Sequence, residues 1–453
     1  MTRNKKIVIG IAGGIILLIA IVAFTFLYQF SAPQKTAEEE RIVVNLTTTE
    51  EELIPKLKKQ GYIRSEWAFN LVLKIKGEIK PGGYKVSKSM NAWKLAEVLT
   101  SEPYMKWVVI PEGWRKEQIA ELLATTLGWS EQQKDDWVNK YTAMKYDYVE
   151  GVYFPDTYLI PKDEAPLQVA QRLINKFNEK FAPYSDKFLK ANIKWTTALK
   201  IASIVQREAA GKDDMPLIAG ILWNRLLKGM KLETDATLQY ARDTKLAYKD
   251  DPCEDPESYA RKRDICYKPD ILQPKVAYLG IENWWTPIRP KDKKLDSLYN
   301  TYLYKGLPPH PICNPGIEAI DAVLNSTETE YLYYLHDKEG KIHPALTYEE
   351  HQANIEKYLL DTITGTITDV ALSAKVITIK DQQGKEISVA LTEKTMLLSR
   401  KKVELKDFQK GETIIAIGRW TGKNTFIPIK IEKKQPNASI ELPTEPPEIV
   451  PAP

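Results

Sequence analysis

The longest apolar run in the chain is also its first. Residues 7–28 carry no charge and are dominated by Ile, Val, Leu, Ala and Phe. A helix rises about 1.5 Å per residue, so this run spans roughly 30 Å, the thickness of a bilayer's hydrocarbon core. Arg3, Lys5 and Lys6 precede it and residues 31–34 follow uncharged. The positive-inside rule therefore predicts a single transmembrane helix with residues 1–6 in the cytoplasm and everything after Phe30 outside. A cleaved signal peptide is the alternative, although the run exceeds a usual signal core and no clean A-x-A site follows it. Residues 29–40 read as a short polar linker. Beyond it a strand–helix pattern recurs. Residues 42–44 read as a strand before a helix over 51–60 with Leu53, Ile54 and Leu57 on one face. Residues 82–86 precede a helix over 90–100, and residues 107–110 precede one over 114–127.

Three such units predict a small α+β module over 41–128, serving either as a spacer or as a wall-binding module of the LysM kind. Residues 129–361 read as a mostly helical body, interrupted at about 243–294 by a segment dense in charge, proline and aromatics that reads as a surface insertion. From Gly365 the period becomes two. Short strands at 376–379, 387–391, 414–417 and 426–431 predict a small β-barrel over 365–434, of OB or SH3 type. The proline-bearing tail, 435–453, is expected to be disordered or polyproline-like. The expected fold class is thus α+β multidomain: one N-terminal transmembrane helix, a LysM-like α+β module, a mostly helical main body and a C-terminal small β-barrel.

Composition narrows the functional classes. A chain of 453 residues is too long for one core, and 43% apolar with 27% charged residues suits a folded protein. A mean hydropathy of -0.36 excludes a polytopic membrane protein. A net charge of +4 offers no nucleic-acid field. Three cysteines exclude a disulfide scaffold and show no zinc spacing, while Cys253 and Cys266 could pair outside the cytoplasm. His310, His336, His343 and His351 cluster in sequence, but no two are spaced i, i+4 and no HExxH occurs, so no metal site is assigned. No G-x-S-x-G elbow, dinucleotide fingerprint or P-loop is present, and no cofactor is expected.

One segment carries more chemistry. Over residues 195–211, Ile201, Ile204, Val205 and Glu208 fall on one helical face. A carboxylate there continues an apolar stripe at a helix C-terminus, and both burial and the helix dipole would favour its protonated form. A proton held near neutral pH is what protonation of a glycosidic oxygen requires. A salt bridge from Glu208 to a neighbour such as Arg225 is the structural alternative. The next helix, capped by Asp213 or Asp214 and ended by Gly229, is followed by a polar loop over 230–237. A hairpin of the two helices would gather Glu208, Asn224, Glu233, Thr234 and Asp235 into a sugar-binding cleft.

Several ordered segments together resemble the endolytic murein transglycosylase (YceG-like) family. They are Ile110-Pro111-Glu112-Gly113-Trp114, Glu150-Gly151-Val152-Tyr153-Phe154-Pro155-Asp156-Thr157-Tyr158 and Ala202-Ser203-Ile204-Val205-Gln206-Arg207-Glu208. Asn224-Arg225-Leu226, Gly229-Met230, Tyr299-Asn300-Thr301-Tyr302, Gly306-Leu307-Pro308-Pro309, Tyr331-Leu332-Tyr333 and Thr347-Tyr348-Glu349-Glu350-His351 complete the series. The resemblance implies a membrane-anchored enzyme outside the cytoplasm that cleaves the β-1,4 bond between N-acetylmuramic acid and N-acetylglucosamine in nascent peptidoglycan. Glu208 is the implied catalytic acid, with Asn224, Arg225, Glu233, Thr234, Asp235, Tyr299, Asn300 and Tyr302 as candidate substrate contacts. One carboxyl suffices when the muramyl 6-hydroxyl is the nucleophile and closes a 1,6-anhydro ring, unlike the paired carboxylates of ordinary glycosidases. Glycan strands, the membrane through one helix and peptidoglycan synthases are the implied partners; no metal or organic cofactor is called for. The chain departs from the family where Gln206 replaces an acid, where Ala236 replaces a proline, and at His343-Pro344. A non-catalytic peptidoglycan-binding scaffold and a muramidase-type hydrolase using Asp235 as second carboxylate are the competing functions.

Overall fold

The computed structural model describes residues 3–248, 281, 283–398 and 403–434. Cys253, Cys266, most of the 243–294 segment and the 435–453 tail lie outside the described residues. The architecture is mixed α+β and falls into two compact units that meet between Thr329 and Glu330.

The first unit opens with helix α1 (Arg3–Tyr28). Its described side chains, residues 12–28, are mostly exposed and largely apolar. Among the described residues no helix is long and apolar enough to cross a membrane, which leaves the expected span over 7–28 unsupported.

A four-stranded antiparallel sheet follows, in the order β1 (Glu39–Val44), β2 (Gly82–Ser87), β3 (Met105–Val109), β4 (Thr157–Pro161). Helices α2 (Glu50–Lys59), α3 (Glu66–Lys76) and α4 (Ala92–Thr100) build a common core with β1 and β2 around Leu57, Phe69, Val72, Tyr84, Leu95 and Leu99. Thr49 and Ser65 cap α2 and α3 by accepting backbone N–H bonds. Helix α3 is an element the periodicity did not predict. It buries Ala68, Phe69, Val72 and Leu73 but also exposes Trp67, Leu71 and Ile75, so no single stripe marks it.

Pairing of β3 with β4 leads the chain into the helical part: α5 (Lys116–Leu127), α6 (Glu131–Asn139), α7 (Pro166–Lys190), α8 (Trp195–Glu208), α9 (Met215–Leu227), α10 (Asp235–Ala247) and α11 (Ile317–Leu324). The stripe on α8 buries Ala198, Ile201, Ala202, Ile204 and Val205 against α7, α9, α10 and α11. Burying Ile201, Ile204 and Val205, at about 1.5–3 kcal/mol each, helps fix α8 in place. The 243–294 segment does not begin as a surface insertion. Helix α10 runs on to Ala247, and Asp243 is buried with Asp292 around Arg242.

The second unit holds a hairpin, β5 (Tyr333–His336) with β6 (Ile342–Ala345), then α12 (Tyr348–Leu359) and six strands. These are β7 (Asp361–Ala371), β8 (Val376–Lys380), β9 (Glu386–Ala390), β10 (Met396–Leu398), β11 (Thr413–Trp420) and β12 (Thr425–Lys433). Their order is β10-β12-β11-β7-β8-β9, and β12 also pairs with β9. Ile367, Ile377, Val389, Ile414, Ala416, Phe426 and Ile431 form the core that the alternating pattern anticipated.

Candidate active site

The apolar stripe that seats α8 leaves its last residue, Glu208, half-buried at the helix end. Its Oε1 accepts the backbone N–H of Ala236 at 3.1 Å, in the first turn of α10. A free N–H at a helix N-terminus favours negative charge on the oxygen it meets. That influence opposes the burial and C-terminal dipole expected from the sequence. It also fixes the orientation of the carboxylate at the start of α10.

The loop that brings Ala236 to Glu208 is built from buried polar contacts. Arg225, near the end of α9, donates to Lys231 O (3.0 Å) and Leu232 O (2.7 Å), with Glu233 Oε2 at 3.4 Å. It thus forms an ion pair with Glu233. Glu233 adopts φ 52°, a left-handed conformation uncommon for a side-chain-bearing residue. Immediately after it, Thr234 N donates to Thr301 Oγ1, and the hydroxyls of Thr234, Thr237 and Thr301 lie within 3.3 Å of one another, all buried.

The loop carrying Thr301 is held in turn by Asn300, which is fully buried. Its amide donates to Lys293 O and Leu295 O, and its Oδ1 accepts from Tyr302 N. Tyr302 hydrogen-bonds Asp235 through its hydroxyl, while Lys293 lies 4.0 Å from its ring centre. Burial, then the bond to Asp235, pushes the Tyr302 phenol well above its ordinary value, so it stays protonated and donates.

Glu208, Asp235 and Tyr302 are thus brought together around the start of α10, with exposed Glu233 beside them. The other candidates sit differently. Asn224 donates to Thr329 O at 2.6 Å. Tyr299 packs its ring 4.7 Å from that of Tyr240. Thr234, Asn300 and Arg225 are buried and shape the loop from behind. Gln206 turns away from Glu208: its Oε1 accepts Gly316 N and its Nε2 donates to Glu112.

Two residues near the acid were not singled out by sequence reasoning. Arg207 lies against Trp285, its guanidinium carbon 4.2 Å from the ring centre. Trp285 is anchored to α10 through Asp243, which accepts its N–H, and through Gln239, which donates to its carbonyl. The signal available was Trp284-Trp285 in a segment otherwise read as insertion.

Behind α10 a buried ionic cluster joins the Glu112–Glu117 and Glu150–Phe154 segments. Arg115 donates to Glu117 at 3.0 Å and to Tyr240 O, and its guanidinium lies 3.9 Å from the Tyr240 ring centre. Glu150 accepts from Lys116 N and from Asn314, and burial together with Glu117 pushes its carboxyl up to about 8. His310 is pushed down to about 3 by burial, and His343 meets Asp337 at 2.7 Å. Among the described residues no group of three His, Cys, Asp or Glu side chains could hold a metal ion. The described cysteine, Cys313, is buried and unoxidised.

The sequence profile of the YceG-like family matches residues 42–357, well over half of the chain. An endolytic murein transglycosylase of Bacillus subtilis is 28% identical over 367 residues, covering 75% of this chain and 91% of that protein. One of Streptococcus pneumoniae serotype 2 is 26% identical over 345 residues, covering 68% of this chain and 56% of that longer protein. Among solved structures, a YceG-like protein from Listeria monocytogenes aligns over 70% of this chain and 98% of its own, with 23% identity and a TM-score of 0.45.

Proposed function

Because the chain belongs to the YceG-like family, we propose that it is an endolytic lytic transglycosylase cleaving the N-acetylmuramic acid–N-acetylglucosamine β-1,4 bond of nascent peptidoglycan. The observation that carries this reading is the carboxylate of Glu208, held by Ala236 N–H at the start of α10. Glu208 protonates the leaving glycosidic oxygen. As the carboxylate it then takes the proton from the muramyl 6-hydroxyl, whose oxygen bonds C1 and closes the 1,6-anhydro ring. The Ala236 N–H stabilises the charge that Glu208 carries between the two transfers. Asp235 and Tyr302 flank the sugar that reacts, and Glu233 extends the rim. No water and no second carboxylate enters the bond-forming step. The cycle returns Glu208 to its starting protonation state, and it terminates glycan strands with anhydro ends.

Mass spectrometry of products from purified glycan strands tests this: 1,6-anhydromuramyl ends are expected, with no oxygen taken from labelled water. A hydrolase reading draws on Asp235, the neighbour of Ala236, and requires reducing muramic ends carrying the label. Strand binding without either product would leave the scaffold reading.

The remaining assignments follow the same reading. The strand–helix–helix–strand order of β1, α2, α3 and β2 supports a LysM-like module within 41–128. The catalytic domain is assigned to 129–361, and the β12–β9 pairing supports a small barrel over 365–434. Helix α1 is assigned as a single-pass anchor in the cytoplasmic membrane, amino end inside. Its support is the exposed apolar surface and a ring cluster at its end. Phe26 and Phe30 lie 5.3 Å and 5.6 Å from Trp67, suiting the interfacial belt where aromatic side chains gather. Peptidoglycan synthases, which supply the strands being cut, are the proposed partners.

A further inference from the structure

We propose that Arg207 is an oxyanion-binding residue of the cleft, taking a carboxylate of the peptide that hangs from the muramic acid being cut. The proposal rests on Glu208 as the reacting centre and adds a substrate contact one residue away.

The other buried arginines of this body each meet an acid. Arg115 meets Glu117, Arg225 meets Glu233, and Arg242 meets Asp243 and Asp292. Arg207 does not. Its Nε is buried with no hydrogen-bond partner among the described residues, and its guanidinium lies over the face of Trp285. The acids whose fields reach it are otherwise occupied. Glu208 accepts from Ala236, and Asp243 accepts from Arg242 and from Trp285 N. Glu112, on the neighbouring segment, is bound by Gln206. A half-buried guanidinium with donors to spare is a costly arrangement unless an anion completes it.

The guanidinium is also held where it is. Gly113, at φ 76°, leaves room for it: a Cβ there would lie 3.3 Å from Arg207 Cδ. On the other side Trp285 adopts φ 63°, a strained conformation for a bulky residue, and is fixed at three points. Its N–H donates to Asp243, its indole N–H to Gln118 at 3.0 Å, and its carbonyl accepts from Gln239. Strain of this kind persists only where the surroundings over-determine it, and here it lays an aromatic face under a cation.

Placement gives the ligand. Ala236, which binds Glu208, and Gln239, which binds the Trp285 carbonyl, stand three residues apart on α10. An anion on Arg207 therefore lies in the neighbourhood of the acid, the next residue of α8. The amino sugars of the strand are uncharged. Each muramic acid, however, carries a lactyl-linked peptide with free carboxylates, and an endolytic cut places such a residue at Glu208. The pyrophosphate joining a growing strand to its lipid offers the same oxyanion chemistry, and the experiment separates the two.

Initial rates of the full chain are measured on three synthetic strands. The first carries stem peptides with free carboxylates, the second the same peptides as carboxamides, and the third carboxamide stems with a lipid pyrophosphate end. A charged hydrogen-bonded contact corresponds to about a tenfold preference in KM for the carboxylate strand over the carboxamide strand. Arg207→Gln is expected to reduce that ratio to about one, through KM rather than kcat, and Arg207→Lys to restore part of it. An unchanged ratio in Arg207→Gln, or an equal fall in kcat on all three strands, overturns the proposal. If Arg207→Gln instead abolishes a preference confined to the pyrophosphate-bearing strand, the stem-peptide assignment is overturned in favour of the lipid phosphate. Equilibrium binding to Glu208→Gln keeps the two readings apart. The carboxylate preference is expected to survive there, whereas full turnover by that variant refutes the catalytic role and leaves the anion site standing.

Discussion

Glu208 ends α8 with one oxygen tied to the Ala236 N–H, and the neighbour of that N–H, Asp235, is tied to the Tyr302 hydroxyl. Removing the hydroxyl frees Asp235 and loosens the first turn of α10. Tyr302→Phe is therefore expected to lower kcat/KM about tenfold, the scale of a hydrogen bond to a charged group, with little change in melting temperature. Steady-state rates and thermal unfolding check both halves. His310 makes a separate residue-scale claim. Burial, aided by Lys200 and Lys116, pushes it down to about 3 in the folded chain, while the unfolded chain protonates at its ordinary value near 6.5. Between those values the unfolded state binds the extra proton. The stability His310 contributes is therefore complete above about pH 6.5 and is lost as pH falls toward 3. Denaturant unfolding at several pH values is expected to show that slope, and His310→Gln to flatten it; an unchanged slope in the variant contradicts the assignment.

At the scale of elements, what positions Glu208 is the meeting of α8, α10 and α11. The N–H of Gly316, at the start of α11, donates to Gln206 Oε1, and a Cβ at 316 would sit 2.2 Å from Glu112 Oε1. Because those atoms end a flexible side chain, Gly316→Ala is expected to displace the Glu112 carboxylate at a cost of about 1 kcal/mol or less, read as a small fall in melting temperature. Helix α8 was legible in the sequence because its face is strictly periodic, and Glu208 stood out by interrupting an apolar stripe. Helix α3 was not, since Trp67, Leu71 and Ile75 are apolar on the face opposite its core. Trp67 on that outward face lies beside Phe26 and Phe30. A Trp67→Ser, Leu71→Ser, Ile75→Ser variant is expected to weaken association with lipid vesicles without changing the fold. Unchanged flotation would speak against lipid contact there. The cleft loop was legible only in part. Thr234 and Thr237 owe their burial to Thr301, more than 60 residues away in sequence, and no local pattern encodes that contact. The pairing of Arg225 with Glu233 likewise depends on the left-handed turn at Glu233.

Across the whole molecule, the family match over 42–357 stops before the six-stranded part of the second unit, whose core is drawn from residues 363–431. A self-contained core outside the matched region points to an added function rather than to the chemistry. A chain ending before Asp361 is expected to keep anhydro-product formation within about twofold of the full chain. Loss of that product would place part of the catalytic machinery in the strands. The charge balance fits a glycan substrate, which is read by hydrogen bonds and ring faces more than by net field. The central claim, that one carboxylate performs both proton transfers, is tested most directly by Glu208→Gln. The amide retains the acceptor for Ala236 N–H and keeps the fold but cannot give or take the proton, so release of 1,6-anhydromuramyl ends from purified strands is expected to vanish. Release at the wild-type rate by a folded Glu208→Gln protein would contradict the account.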